Sequence, residues 1–387
     1  MPKYTNLDGT TPDKSLADLL RWNLVDRARV KRTEEDLRFT PPRVENDGSR
    51  LFAATVDRMT WVGHATFLAS LGGVTLATDP IWAERLGTVK RISPPGVPLG
   101  AVPALDVVTV SHNHYDHMDL GTLKKLARGR SAAGRPPTFV VPRDNADILL
   151  EAGIGAVTEL GWWESTRIGN LRITLVPAQH WSMRLPWDRN QRLWGGFVYE
   201  ALRGDGTVEK TAYHAGDTAF AADVFRAIGE RFPAIDYAML PIGAYDPNWF
   251  MGPQHMGPEE AVRAFTLLGA KTFCAMHWGT YRLTDEPLAE PPERLRAAAQ
   301  KAGIDDARIW TFALGQTTDL TGETTPLPAV RCPGGAGGAG GCGRREAPSR
   351  CRRRGAGRCG SPGGRRKSGG AAPPRCGARR SGLRSRR

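Results

Sequence analysis

The chain has 387 residues, 40% of them hydrophobic and 24% charged, which is ample for a sizeable core and allows two or three domains at roughly 150 residues each. Its formal charge of +13 belongs to one end: residues 331–387 carry 17 of the 53 Lys and Arg and a single acid, Glu346, leaving 36 bases against 39 acids in residues 1–330, a net of −3. A nucleic-acid-binding body is thereby excluded as the default. The lack of an apolar run of about 18 residues argues against a membrane-spanning helix, and the charged start MPKYTNLDGTTPDKSLADLL does not read as a secretory signal, so a cytoplasmic protein is expected.

Residues 1–55 read as an N-terminal extension. Within it, residues 15–32 set Leu16, Leu19, Leu20, Trp22, Leu24 and Val25 beside Arg and Lys, which suits a helix packed on the body or lying at a membrane surface. Strands are expected at 59–68 and 74–78, joined at the hairpin signal Gly72-Gly73. The short apolar run LDVVTV at 105–110, ending in Ser111, suits a buried strand. A helix at 120–127, a strand at 138–141, a helix at 145–151 stopped by Gly153, and a strand at 171–177 follow. Residues 196–202 and 210–214 form a second hairpin around Gly204-Asp205-Gly206, then a helix at 218–228 and a strand at 237–242. PEEAVRAFTLL at 258–268 predicts a helix, with Pro in its first turn and acids beside it. A strand at 271–277, a helix at 292–302 and a strand at 309–313 close the body. Mixed strands with hairpins and interspersed helices predict a layered α/β fold, with sheets covered by helices.

From Arg331 the composition turns to Gly, Arg, Pro, Ala and Cys. Such a segment cannot bury enough apolar surface to offset chain entropy, and disorder is expected. It holds five of the six cysteines (Cys332, Cys342, Cys351, Cys359 and Cys376), without a C-x-x-C pair that would suggest a metal knuckle. An Arg-rich arm for nucleic acid or anionic lipid is one reading; the lack of motif and periodicity favours the product of a shifted reading frame. The body keeps only Cys274, so no disulfide framework is expected there.

The chemistry concentrates in Ser111-His112-Asn113-His114-Tyr115-Asp116-His117, which follows a predicted strand. In extended backbone His112 and His114 point to the same side and can grip one metal ion. Asp116 and His117 follow at once and can face a second. A metal centre needs further ligands, and three candidates each end a strand before a turn: His180 after LRITLVPAQ, Asp217 in Ala215-Gly216-Asp217-Thr218, and His277 after KTFCAM. The Asp217 carboxylate is suited to bridging two ions, and Gly216 permits close backbone approach.

The string SHNHYDHMD carries H-x-H-x-D-H and resembles the signature of the metallo-β-lactamase fold superfamily. The blocks TWVGHATFL, TDPIW, LGWWES, PAQHW, LWGG, AGDT, LPIGAYDPNWFM, QHMGPEEAV, MHWGTY and EPPERL run in order through the body. Together they resemble the branch of N-acylphosphatidylethanolamine-hydrolysing phospholipases D. The resemblance implies a four-layer αββα sandwich over residues 56–325, with two zinc ions at one edge of its sheets. It implies His112, His114 and His180 on the first ion, Asp116, His117 and His277 on the second, and Asp217 between them. It implies that Asp116 and Asp217 are catalytic, and that His255 is an active-site histidine outside the ligand set that contacts the substrate phosphate or assists the leaving group. His64 reads as a supporting group rather than a ligand, and His214 as structural.

The implied function is hydrolysis of a phosphodiester in N-acylphosphatidylethanolamine-like lipids, with peripheral docking at the inner membrane face. A lactonase or small-molecule phosphodiesterase of the same fold is the alternative, and a metal-stabilised membrane-binding protein without catalysis the second. Trp162, Trp163, Trp181, Trp187, Trp194 and Trp249 lie near the metal-bearing loops, as lining for an apolar groove or as core.

Overall fold

The computed structural model describes residues 3–12, 14–52, 56–129 and 134–321. The segment 331–387 and the expectations attached to it lie outside these residues. Two seven-stranded sheets make up the centre. From edge to edge the first runs Thr317–Asp319, Arg58–Gly63, Thr66–Leu71, Val74–Thr78, Val107–Thr109, Thr138–Pro142 and Val157–Leu160. The second runs Ile309–Trp310, Thr272–Met276, Tyr237–Pro241, Val208–His214, Gly196–Leu202, Leu171–Val176 and Ser165–Ile168.

The two-residue period of strands divides their side chains between two cores. In the first sheet Val107 and Val140 join Phe67, Leu76, Ile173, Leu175, Phe197 and Tyr199 between the sheets. Val108, Phe139 and Val141 point the other way, onto Leu123 and Leu126 of helix Leu120–Leu126 and Leu149 of helix Ala146–Glu151. Helices Ala222–Arg231, Pro258–Leu268 and Glu290–Lys301 cover the second sheet through Phe225, Ile228, Phe265, Leu268 and Leu295. The result is the four-layer αββα sandwich.

Three departures from the sequence reading have physical causes. Residues 59–68 are two strands rather than one, because the chain reverses at His64-Ala65, with Gly63 at φ 128° and His64 at φ 54°. Both strands are buried on both faces, so neither shows the polar alternation that would set them apart. The helix expected from 218 begins at Ala222 because residues 218–219 are tied to the end of a neighbouring strand: Gln179 N–H donates to Thr218 Oγ (3.0 Å) and Ala219 N–H to the Gln179 carbonyl (2.8 Å). Strands Val157–Leu160, Ser165–Ile168 and Thr317–Asp319 went unread because they lie at or beside sheet edges, half exposed and without apolar alternation.

In the N-terminal region Ser15 caps helix Leu16–Leu20, its Oγ accepting from Asp18 N–H while the Asp18 carboxylate accepts from Ser15 N–H. Helical turns continue to Arg29. Trp22, 8% exposed, anchors this helix on the body by stacking on Phe250 at 4.9 Å and donating to Asp285 Oδ2 at 2.7 Å. Leu19, Leu20, Leu24 and Val25 stay exposed.

Candidate metal centre

Parallel register brings the chemistry to one sheet edge. In the first sheet Thr78 pairs with Thr109, so the residues that follow them, Asp79 and Ser111, become neighbours. In the second, His214 pairs with Met239 and Pro241 with Met276, which sets Asp217 and His277 just beyond the same strand ends. Val176 pairs with Gly196, and Phe197 with His214, which carries His180 to that edge too. The turn at His64 arrives there because Phe67 pairs with Thr78. Gly216 makes the approach of the two sheets possible: it sits at φ 60°, and a Cβ there would lie 2.6 Å from Ser111 Cβ.

His112, His114 and His180 converge on one point. His112 Nε2 lies 2.8 Å from His114 Nδ1, and His180 Nε2 lies 3.3 Å from the same atom. Each outer ring has a partner that turns its Nε2 lone pair inward. His112 Nδ1–H donates to Ser111 Oγ (2.9 Å), whose own proton goes to Asp79 Oδ2 (2.6 Å). His180 Nδ1–H donates to the Gln254 carbonyl (2.8 Å). Burial and neighbouring imidazoles hold His112 and His180 well below the usual histidine range, and burial brings His114 down to about 4. All three are neutral near pH 7, the state that binds a metal.

Asp116, His117 and His277 form the second group, with His64 beside them. His117 Nδ1–H donates to Asp79 Oδ2 (2.7 Å), which aims Nε2 at Asp217 Oδ2 (3.1 Å) and Asp116 Oδ2 (3.5 Å). His277 Nε2 lies 3.0 Å from Asp217 Oδ1 and 3.8 Å from Asp116 Oδ2. His64 Nε2 lies 3.0 Å from Asp116 Oδ2, its ring 4.0 Å from that of His277. Burial opposes charge here, yet the Asp217 and Asp116 carboxylates outweigh it, raising His117 well above its ordinary value and His277 to about 9. Against the same burial, the imidazoliums hold both carboxyls well below theirs, with His117 the largest influence.

Asp217 touches both groups, and His112 Nε2 and His180 Nε2 lie 4.0 Å from its Oδ2. His255 completes the cluster, its Nδ1 3.9 Å from Asp217 Oδ2. The buried atoms His117 Nε2, His255 Nδ1, His277 Nε2 and Asp217 Oδ1 have no well-formed hydrogen bond, although two of them sit 3.0 Å apart. Donor atoms that crowd together without the alignment of a hydrogen bond fit ligands that share a cation. The residues present thus fit metal ions at both groups.

A family described as the beta-lactamase superfamily domain matches residues 75–278, more than half of the chain. The chain belongs to the metallo-β-lactamase superfamily. Within it the chain falls in the branch of N-acylphosphatidylethanolamine-hydrolysing phospholipase D-like proteins. It is 38% identical to N-acyl-phosphatidylethanolamine-hydrolyzing phospholipase D 1 of Caenorhabditis elegans over 66% of this chain and 74% of that protein. It is 34% identical to the mitochondrial N-acyl-phosphatidylethanolamine-hydrolyzing phospholipase D of Saccharomyces cerevisiae over 81% of this chain and 64% of that protein. Among solved structures, an isothiocyanate hydrolase from Delia radicum gut bacteria shares the fold at a TM-score of 0.52 and 22% identity, over 67% of this chain and 98% of that one.

Sequence reading overlooked Asp79, although it follows a strand in the block TDPIW. It accepts from Ser111 N–H and Oγ–H and from His117, and so holds one histidine of each group in place. His214 joins the sheets: its ring Nε2–H donates to the Ala65 carbonyl (2.9 Å) while Nδ1 accepts from Gly216 N–H (3.3 Å). The tryptophans divide. Trp194 is fully buried and donates to the Ala178 carbonyl, and half-buried Trp162 donates to the Trp194 carbonyl. Half-buried Trp163 packs against the core, Trp181 lies 4.6 Å from the His114 ring, and Trp187 and Trp249 are exposed.

Proposed function

We propose that this chain is a dinuclear zinc hydrolase of phospholipase D type, acting on N-acylphosphatidylethanolamine-like lipids. The observation that carries the reading is Asp217: one buried carboxylate placed between an all-histidine group and a group of histidines with a carboxylate. His112, His114 and His180 would hold one ion, Asp116, His117 and His277 the other, and Asp217 both. Bound there, the ions supply neutralisation of a phosphodiester oxygen and a water that ionises near neutral pH. Hydrolysis adds the water oxygen to phosphorus, breaks the phosphorus–oxygen bond to the head group and passes a proton to the departing head-group oxygen. The products are phosphatidic acid and an N-acylethanolamine.

His255 contributes as a neutral group. Burial lowers its pKa to about 4, so the ring is neutral near pH 7, and it would contact the substrate phosphate or assist departure of the leaving group through its N–H. Lipid as the substrate is supported by apolar surface beside the metal loop. Tyr115, 55% exposed, donates to the Arg184 carbonyl, next to exposed Leu185 and near Trp187, which is 76% exposed. With Leu19, Leu20, Leu24 and Val25 these residues supply a means of peripheral contact at the inner membrane face. No helix among the described residues is long and apolar enough to cross a membrane.

The test measures metal content and cleavage of N-acylphosphatidylethanolamine in mixed micelles, for the full chain and for Asp217→Asn. About two zinc ions per chain, with cleavage lost in the variant, is the expected result. Two ions with cleavage confined to small lactones or phosphodiesters would overturn the lipid substrate, and a chain that takes up no metal would overturn the centre itself.

A further inference from the structure

We propose that Asn6 is a positioning residue for His180, which makes the N-terminal segment 3–12 a working part of the metal centre; this rests on the reading of His180 as a ligand. His180 lies four residues beyond strand Leu171–Val176, where no sheet ladder holds it. Two hydrogen bonds take the place of the ladder. The ring is fixed by the Gln254 carbonyl, and the backbone N–H donates to Asn6 Oδ1 at 3.0 Å, across 174 positions of sequence.

Asn6 is built for this contact. It is 2% exposed, and Trp194 Nε1–H also points at its Oδ1 from 3.2 Å. Both neighbours are donors only, so the carboxamide must present its oxygen to them. The segment that carries Asn6 is fastened on each side. Lys3 N–H and Tyr4 N–H donate to the Asn190 carbonyl at 2.9 and 3.0 Å. Asn6 N–H donates to the Thr10 carbonyl, and Gly9 N–H to the Asn6 carbonyl, closing a small loop. Gln179, the residue before His180, reaches back with its side-chain NH2 to Asp8 Oδ2 (3.0 Å) and Thr10 Oγ (3.1 Å). The loop bearing His180 is thus gripped at two successive residues by chain that precedes the matched family domain, which begins at residue 75.

Loss of the Asn6 oxygen strands the buried His180 backbone N–H, while Trp194 Nε1–H keeps the Ala178 carbonyl at 2.9 Å. The His180 backbone is freed, and a ligand must hold its place to about 0.5 Å. Metal-free full-length protein, reconstituted with cobalt(II) and followed by visible absorption and metal analysis, tests this, with amide hydrogen exchange on the metal-free protein as a second readout. Asn6→Leu and Asn6→Ala are expected to bind one of two cobalt ions roughly 10–100-fold more weakly, with an altered visible band. Their exchange should quicken locally at residues 178–181, and Asn6→Asp, which keeps the acceptor, should restore all three signals. Should Asn6→Leu fail to fold, Asn6→Ala carries the same comparison. Wild type binding two ions, with both variants unchanged in affinity, band and exchange, overturns the positioning role alone. Wild type binding no cobalt overturns the His180 assignment and this role together.

Discussion

His112, His114 and His180 meet as three imidazoles, while Asp116, His117 and His277 meet as two imidazoles and a carboxylate with His64 against it, and Asp217 stands between the groups. Burial is nearly complete in both, yet it acts in opposite directions. In the first group it wins and the rings stay neutral, His114 at about 4. In the second the carboxylates win and the rings hold protons, His277 up to about 9. A proton on an imidazole between two carboxylates occupies the electrostatic place of a cation. One half of the centre therefore stands ready for a metal ion, and the other must give up protons to receive one.

Asp217→Asn is expected to have the largest effect, because it removes the one group common to both halves. Its oxygens lie 3.1 and 3.0 Å from His117 Nε2 and His277 Nε2. Turnover should fall by more than the ~100-fold that loss of a hydrogen-bond partner behind a ligand costs, with metal depleted from both groups. Retention of a full complement of metal by the purified variant would show that the groups are independent.

Acidification should then separate the halves. A histidine whose pKa is raised keeps its proton until the pH climbs past that value. Below about pH 9, each unit of acidification therefore costs the second group at least tenfold in affinity. His114, at about 4, has no proton to displace between pH 8 and 6. Metal titrations at these two pH values should show one ion weakened by roughly 100-fold or more and the other nearly unchanged. Proton release on loading, read with a pH indicator, should accompany only the weaker ion. Equal weakening of both ions would contradict the electrostatic contrast.

Much of this contrast was legible in the sequence, and the illegible part has an identifiable cause. H-x-H-x-D-H shows its histidines and carboxylate locally, and His180, Asp217 and His277 stand out as candidates because each follows a strand-like run, the strands themselves ending at Val176, His214 and Met276. Those signals depend on alternation and on turn residues within a few positions. Helix Pro258–Leu268 was readable to the residue because its Pro and acidic first turn mark the start and Gly269, at φ 62°, the end. Asp79 was missed because its role arises from the parallel pairing of Thr78 with Thr109, a contact between segments about thirty residues apart. The turn at His64 is hard to read because the strands on either side are buried on both faces and show no polar alternation to separate them, and Gly63-His64 is not a common hairpin pair. Asn6 was beyond reach for the same reason as Asp79, its partner lying 174 positions away.

Asp79→Ala sharpens the contrast at a smaller scale. Asp79 supports His117 directly at 2.7 Å and His112 only through Ser111. Affinity at the second group should fall roughly 10–100-fold, and at the first by less. Isothermal titration of the metal-free variant checks the order, and a larger loss at the first group would reverse the assignment of support.

Trp187→Ser is expected to give the smallest effect, and it asks whether the surface beside the centre serves the substrate. With Trp187 76% exposed, substitution removes little packing, so the melting temperature and the binding of both ions should be unchanged. Its neighbours tie the site to the metal loop: Tyr115 donates to the Arg184 carbonyl, and the Arg184 guanidinium lies over the Tyr115 ring at 4.2 Å. If lipid approaches across this face, cleavage in mixed micelles should fall several-fold while cleavage of a short-chain, water-soluble phosphodiester stays at the wild-type rate. An equal fall on both substrates would place Trp187 in the reaction itself, and no fall on either would separate the apolar surface from the centre it borders.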